Sequence, residues 1–292
     1  MRKILFWIIA HSGLPWFFRE ILNRNKVTIL LFHAPNAQTA EKQLEILNQK
    51  YNIIPLRQYI DILNNQTINT LPKKPLVITY DDGARENYLL KPILEKYNIP
   101  ITIFLCSSIV GTNRHYWWTA LPEGTVSAEL ENMSNDARLA VLEKSKFKQS
   151  AEYDKRQALS KTEIDELRPF VDFQSHTCFH PNLPQCTDRQ SYEEIFNSKV
   201  ELESNFEMDI YAIAFPNGAY TEREIGIVKD SGYSCSLTTH IGFNELNEDK
   251  FYLKRIDILD SADANEVIIK SSGAWHFIQQ LQRKVLLKNE TY

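Results

Sequence analysis

Short apolar runs alternate with amphipathic stretches along most of the chain. "VTILLFH" at 27–33, "LVITY" at 76–80 and "ITIFLC" at 101–106 are continuous and rich in β-branched residues, as strands covered on both faces are. Between them, "AEKQLEILNQKY" at 40–51 and "RQYIDILNN" at 57–65 repeat apolar residues at helical spacing, and "ENYLLKPILEKYN" predicts a further helix despite Pro92. The rhythm breaks over residues 112–160, where "HYWW" leads into polar, helix-favouring sequence. It resumes with Ser160 and Glu163, a capping box for a helix around "TEIDEL". A strand "VDFQ", a helix through "YEEIFNSKVELESNF", a strand "IYAIAF" and a helix through "REIGIVKDSG" follow. "YSCSLTT" and "FYLKRIDI" are the last strand candidates, and "WHFIQQLQRKVLLK" is a closing helix. Repeated strand–helix units predict an α/β fold, a parallel sheet with helices outside, open or closed into a barrel. The expected organisation is one domain over 27–292 with an insertion at about 112–160.

Residues 1–26 stand apart. An apolar run from Ile4 to Ala10 lies among Arg2, Lys3, Arg19 and Arg24, with Trp7 and Trp16 nearby. The run is too short to span a bilayer and lacks a convincing small-x-small cleavage site. It predicts an apolar, basic helix, either packed on the domain or lying at a membrane surface.

Composition narrows the class of function. Charged residues make up 24% and hydrophobic ones 43%, ordinary for a soluble globular protein. A net charge of -4 speaks against a polyanionic partner, so nucleic acid is not expected. Cys106, Cys178, Cys186 and Cys235 form no C-x-x-C and no regular spacing. They suit a reducing compartment better than a disulfide framework, which predicts a cytoplasmic protein, free or held at the membrane surface.

Chemistry enters at the strand ends. Asp81 and Asp82 follow "LVITY", and Gly83 lets the chain turn away. Adjacent carboxylates repel, so one must stay protonated or a cation must neutralise them, unless the pair is an acidic turn in water. Reactive groups in α/β folds collect at the carboxyl ends of strands. There "VDFQ" leads into "SHTCFHP", in which His176 and His180, four apart, would share one face of a helical turn. Two histidines with a carboxylate from another strand make a three-ligand divalent-metal site with open positions. Such a pair also suits ordinary surface histidines, and spacing alone names no reaction.

In order, "TYDDG", "SHTCFHP" and "FPNGAY" resemble the first three motifs of the polysaccharide deacetylase family (carbohydrate esterase family 4, the NodB homology domain), over roughly residues 27–258. The resemblance implies a distorted (β/α) barrel that removes N- or O-acetyl groups from sugars. It implies that Asp82, His176 and His180 hold a divalent metal, usually zinc, that Asp81 is the general base, and that Thr177 supports the turn. The backbone N–H of Asn217 would help form the oxyanion hole. The chain also departs from the pattern. Ala214 stands where many members carry an arginine that contacts the catalytic acid, and no Asp-Trp pair matches the fourth motif. Only Leu237 with His240 is available for the fifth motif, where a histidine acts as general acid.

Four more residues have two readings each. His33 lines the mouth or simply ends its strand; Trp117 and Trp118 stack on a sugar ring or pin the insertion to the barrel. Arg255 reaches the substrate or Asp81, or is structural. Cys178, between the two histidines, is expected to be a packed thiol. The expected function is metal-dependent removal of an N-acetyl group from an amino sugar of a polysaccharide or its lipid-linked precursor. A catalytically silent carbohydrate-binding module is the alternative. Iron(II) oxygenases with two histidines and a carboxylate are another, although those sites usually sit on antiparallel barrels.

Overall fold

The structure, a computed structural model, describes residues 2–65 and 71–289. Its strands are β1 (Thr28–Phe32), β2 (Asn52–Ile53), β3 (Pro75–Tyr80), β4 (Ile101–Leu105), β5 (Val171–Ser175), β6 (Ala212–Ala214), β7 (Cys235–Leu237) and β8 (Ile256–Asp257). They form a parallel sheet in the order β7-β6-β5-β4-β3-β1-β8, with β2 beside the start of β3. Just before β8, Leu253 pairs in parallel with Leu237 of β7. Its N–H donates to the Ser236 carbonyl at 3.2 Å, and its own carbonyl accepts from Thr238 N–H at 2.9 Å. The segment 253–257 therefore touches β7 and β1 in turn and brings the two ends of the sheet together, giving the curled (β/α) barrel.

Alternation along the strands decides what the barrel contains. Val27, Ile29, Val77, Phe104, Ala212, Ala214, Cys235, Leu237 and Leu253 share an inner core, whereas Leu30, Phe32, Ile78, Ile103 and Ile213 pack outwards under the helices. The same parity carries Thr79 and Asp81 inwards after Val77, His176 after Gln174, and Arg255 after Leu253. A barrel with small inner residues near its mouth thus has room for a buried ion pair there.

The helices are α1 (Arg2–His11), α2 (Leu14–Phe17), α3 (Ala37–Lys50), α4 (Leu56–Asn65), α5 (Lys91–Tyr97), α6 (Ser127–Glu131), α7 (Asn135–Glu143), α8 (Lys161–Leu167), α9 (Asp188–Phe206), α10 (Glu222–Asp230), α11 (Ala264–Ser272) and α12 (Ala274–Asn289). The expected Ser160/Glu163 capping box is present at α8. Pro92 is accommodated because Arg85–Leu90 is a 3-10 helix and α5 begins at Lys91, which places the proline in the first turn. Helix α11 was not foreseen: its apolar run is only Val267-Ile268-Ile269, and serines follow it. Between β4 and α8, α6 and α7 enclose a small core of Trp117, Leu130, Leu142 and Phe147. At the amino end, Phe6 and Ile9 of α1 pack against Ile269 and Ala274.

Candidate active site

The β3 strand ends in a reversal. Asp82 and Gly83 both adopt left-handed conformations, with φ of 74° and 73°. At Gly83 a Cβ would come within 2.5 Å of Leu105 Cδ2 and 3.1 Å of Val110 Cγ1, on a backbone whose φ already disfavours a side chain, so glycine suits the turn. The reversal separates the two carboxylates. Asp81 points into the barrel, where Arg255 grips it in a fork, Nη1 to Oδ1 at 2.7 Å and Nη2 to Oδ2 at 2.9 Å. Arg255 is in turn fixed by its Nε donating to the Thr238 carbonyl at 2.9 Å. Asp82 instead faces the histidines: its Oδ1 lies 3.5 Å from Nε2 of both His176 and His180.

The loop carrying the histidines is not the helical turn expected from their spacing. Thr177 and His180 have φ of 65° and 56°, and no helix is assigned between Ser175 and Leu183. Two side chains hold this shape. The Thr177 hydroxyl accepts from His180 N–H at 3.1 Å, and one oxygen of Glu194, on α9, accepts from Cys178 and Phe179 N–H at 2.9 Å each. The imidazoles still converge, with ring centroids 4.8 Å apart. His176 Nδ1 donates to the Ala214 carbonyl at 2.8 Å, which leaves the Nε2 lone pair directed at Asp82. Cys178 is buried, a packed thiol as expected.

Electrostatics separates the roles further. Burial raises the Asp81 carboxyl pKa, but the Arg255 guanidinium and His176 outweigh it and hold it below the usual carboxylate range. Burial pushes the His180 pKa well down and keeps its ring neutral. Burial pushes Asp82 up. Burial also pushes Glu194 up to about 7.

The donor set suits a divalent cation. Asp82 Oδ1 lies 3.5 Å from each Nε2, close to the ~3.3 Å between tetrahedral ligands about 2 Å from a shared ion, and one ligand atom from each of the three residues lies within 4.8 Å of the others. Asp82 Oδ1 is buried without a hydrogen-bond partner, a costly state that coordination would relieve.

Above the cluster lies a cleft of 730 Å³ lined by His33, Asp82, Tyr116, Trp118 and the 155–157 stretch, among others. A smaller hollow bounded by His33, Asp82, Trp118, His180 and Asn217 adjoins it. His33 therefore lies at the mouth, its N–H donating to Asp260. The two tryptophans differ in depth. Trp117 borders the smaller hollow but is 3% exposed, donates Nε1–H to the His180 carbonyl at 2.9 Å and sits under Arg138, so packing holds it in place. Trp118 is half-buried, stacks on Tyr116 and meets the His180 ring edge-on.

In the third motif Asn217 is exposed, with φ of 55°. At Gly218 a Cβ would come within 2.0 Å of Thr239 Oγ1. His240 is exposed, its Nδ1 3.4 Å from the Tyr220 hydroxyl, and it lines neither hollow above Asp82. Glu194 went unnoticed in the sequence because a mid-helix glutamate carries no local signal of its partner loop.

Comparison with known proteins fits this geometry. Residues 68–236 match the profile of the polysaccharide deacetylase family. The Bacillus subtilis protein YxkH is 24% identical over 194 residues, 65% of this chain and 54% of its own. The poly-β-1,6-N-acetyl-D-glucosamine N-deacetylase of Staphylococcus aureus is 25% identical over 214 residues, 70% of this chain and 61% of its own. The chain thus spans little more than half the length of these relatives. In fold it is similar to the Streptococcus pyogenes deacetylase PplD, at a TM-score of 0.62 and 22% identity, covering 84% of this chain and 98% of that one. It is likewise similar to IcaB of Ammonifex degensii, at 0.61 and 17%, covering 85% and 97%. Fold, motif order and profile agree: the chain belongs to the polysaccharide deacetylase family.

Proposed function

We propose that the protein hydrolyses the N-acetyl group of an amino sugar within a polysaccharide or its lipid-linked precursor, using a divalent metal, zinc, held by Asp82, His176 and His180. One observation carries this reading: Asp81 is withheld from the ligand cluster by Arg255, yet its Oδ2 lies only 3.8 Å from His176 Nε2. A pure sugar binder has no use for an ionised acid placed beside a ligand set. The all-parallel sheet also argues against the iron oxygenase alternative.

When bound, the metal would lower the pKa of a coordinated water and polarise the amide carbonyl. The remaining work falls to side chains. Arg255 keeps Asp81 ionised so that it can accept the proton from the attacking water. Asn217, at the rim of the hollow, offers a backbone N–H to the developing oxyanion. Trp118 presents an aromatic face to a sugar ring. Since His240 lines neither hollow, Asp81 is the better placed group to return the proton to the leaving amine.

The test is acetate release from a panel of N-acetylated oligosaccharides, with and without added zinc, using Asp81→Asn as control. Metal-dependent release that disappears in the variant is expected. Sugar binding without release by metal-loaded protein would overturn the proposal in favour of the binding module.

A further inference from the structure

The two ends of the chain meet on one side of the barrel, and the surface they build there is strongly apolar. Phe6 of α1 packs edge-on against Trp275 of α12 at 4.9 Å, and Phe18, just after α2, meets Phe277 at 5.2 Å. These contacts use only one face of each segment. The other face leaves Ile4, Trp7, Ile8, Trp16 and Ile21 between 53% and 66% exposed. On α1, Ile4, Trp7 and Ile8 form one stripe at helical spacing, opposite the buried Phe6 and Ile9. A cluster of this size on a folded surface marks a docking face.

Charge selects the partner. Residues 1–26 carry five lysines and arginines against a single acid, Glu20, and residues 273–289 carry three and no acid, in a chain whose net charge is -4. Glu20 is itself neutralised by Arg19 and Lys74, and Lys26 pairs with Glu245. Lys3, Arg24 and Arg283 stand exposed around the apolar cluster. A second copy of the chain would bring the same excess of positive charge against itself. An anionic bilayer satisfies both features, since apolar side chains enter the interfacial region while cations remain among the headgroups. Exposed tryptophans suit that interface too. Among the described residues no helix is long and apolar enough to cross a membrane, so contact would be with one leaflet.

We infer that α1, the Leu14–Leu22 segment and α12 together form a docking surface for anionic lipid headgroups, holding the protein flat on a membrane. Asn23 Nδ2 donates to the Ser272 carbonyl at 3.0 Å, which places this surface near the amino ends of the strands. Asp81 and Asp82 lie at the opposite, carboxyl ends, so the docked protein turns its cleft away from the lipid.

Sedimentation of the full chain with vesicles of phosphatidylcholine and phosphatidylglycerol tests this. The expected result is co-sedimentation that falls at least ~10-fold with phosphatidylcholine alone or in high salt. Tryptophan emission should shift to the blue on vesicle addition. Trp7→Glu with Ile8→Glu should abolish binding with unchanged circular dichroism. Should that pair disturb folding, Lys3→Glu with Arg24→Glu, both at exposed positions, should weaken binding in the same way. Failure to sediment, or equal binding by both folded variants, would overturn the inference. So would a lipid-free dimer that the Trp7/Ile8 pair converts to monomer, because the face would then belong to a second copy.

Discussion

Arg255 and Asp81 meet in a two-pronged ion pair wholly inside the barrel, although 174 residues separate them in the chain. The guanidinium fixes the carboxylate's direction and its charge together. Removing it as Arg255→Met leaves burial as the dominant influence on Asp81, so that carboxyl should titrate at higher pH. The acid limb of the kcat/KM profile should therefore move to higher pH. Losing one partner of a buried pair should also cost about 3–5 kcal/mol in urea unfolding.

The two adjacent aspartates should fail differently. Asp81→Asn is expected to cut acetate release by roughly 10³-fold or more while metal content stays near that of the parent. Asp82→Asn should lower metal affinity about 10–100-fold or more, with activity recovered in part at high zinc. Elemental analysis after dialysis, paired with rates over a zinc titration, separates the two outcomes.

Trp117 and Trp118 offer a similar contrast. Trp117→Ala removes a buried ring and the donor to the His180 carbonyl, and should destabilise the protein by about 3–5 kcal/mol. Trp118→Ala should cost far less stability and instead raise KM for the oligosaccharide. Denaturant unfolding and saturation kinetics on both variants distinguish anchor from platform.

Glu194 makes the metal-free protein sensitive to pH. Its carboxyl, ordinarily near 4.5, is pushed up to about 7 in the fold by burial. The fold thus favours the protonated acid. The associated stability is fully present below the unfolded value and is lost as pH rises through the folded one. Relative to Glu194→Gln, stripped wild-type protein should lose about 3 kcal/mol between those limits. A pH series of unfolding curves on both proteins would show it, and parallel curves would count against it.

Much of the site was legible because strand parity and motif order are properties of the sequence. Val77, Thr79 and Asp81 fall on one face by counting, and Leu253 with Arg255 do the same, yet nothing in "LKRID" says that its strand closes the barrel between β7 and β1. The arginine absent at Ala214 is thus supplied from elsewhere, while the Ala214 carbonyl orients His176. The histidine loop was misread in shape. An i, i+4 spacing suggests a helix, but Thr177 and Glu194 stabilise a left-handed turn that brings the rings together by another route. Trp117 and Trp118 could not be told apart in the sequence because the depth of each depends on how the insertion folds. Residues 1–26 were read as packing or membrane contact, whereas the closing helix was given no part in that surface. The structure shows that one face packs and the other stays exposed.

The segment 253–257 carries a consequence for synthesis. Every metal-ligand candidate has been made by residue 180, but the partner of Asp81 arrives only with the last strand. A chain cut by a premature stop or a protease before Leu253 would keep the candidate ligands and lose the arginine that readies the acid. On the proposed mechanism, a molecule stopped short of this strand is expected to be inactive.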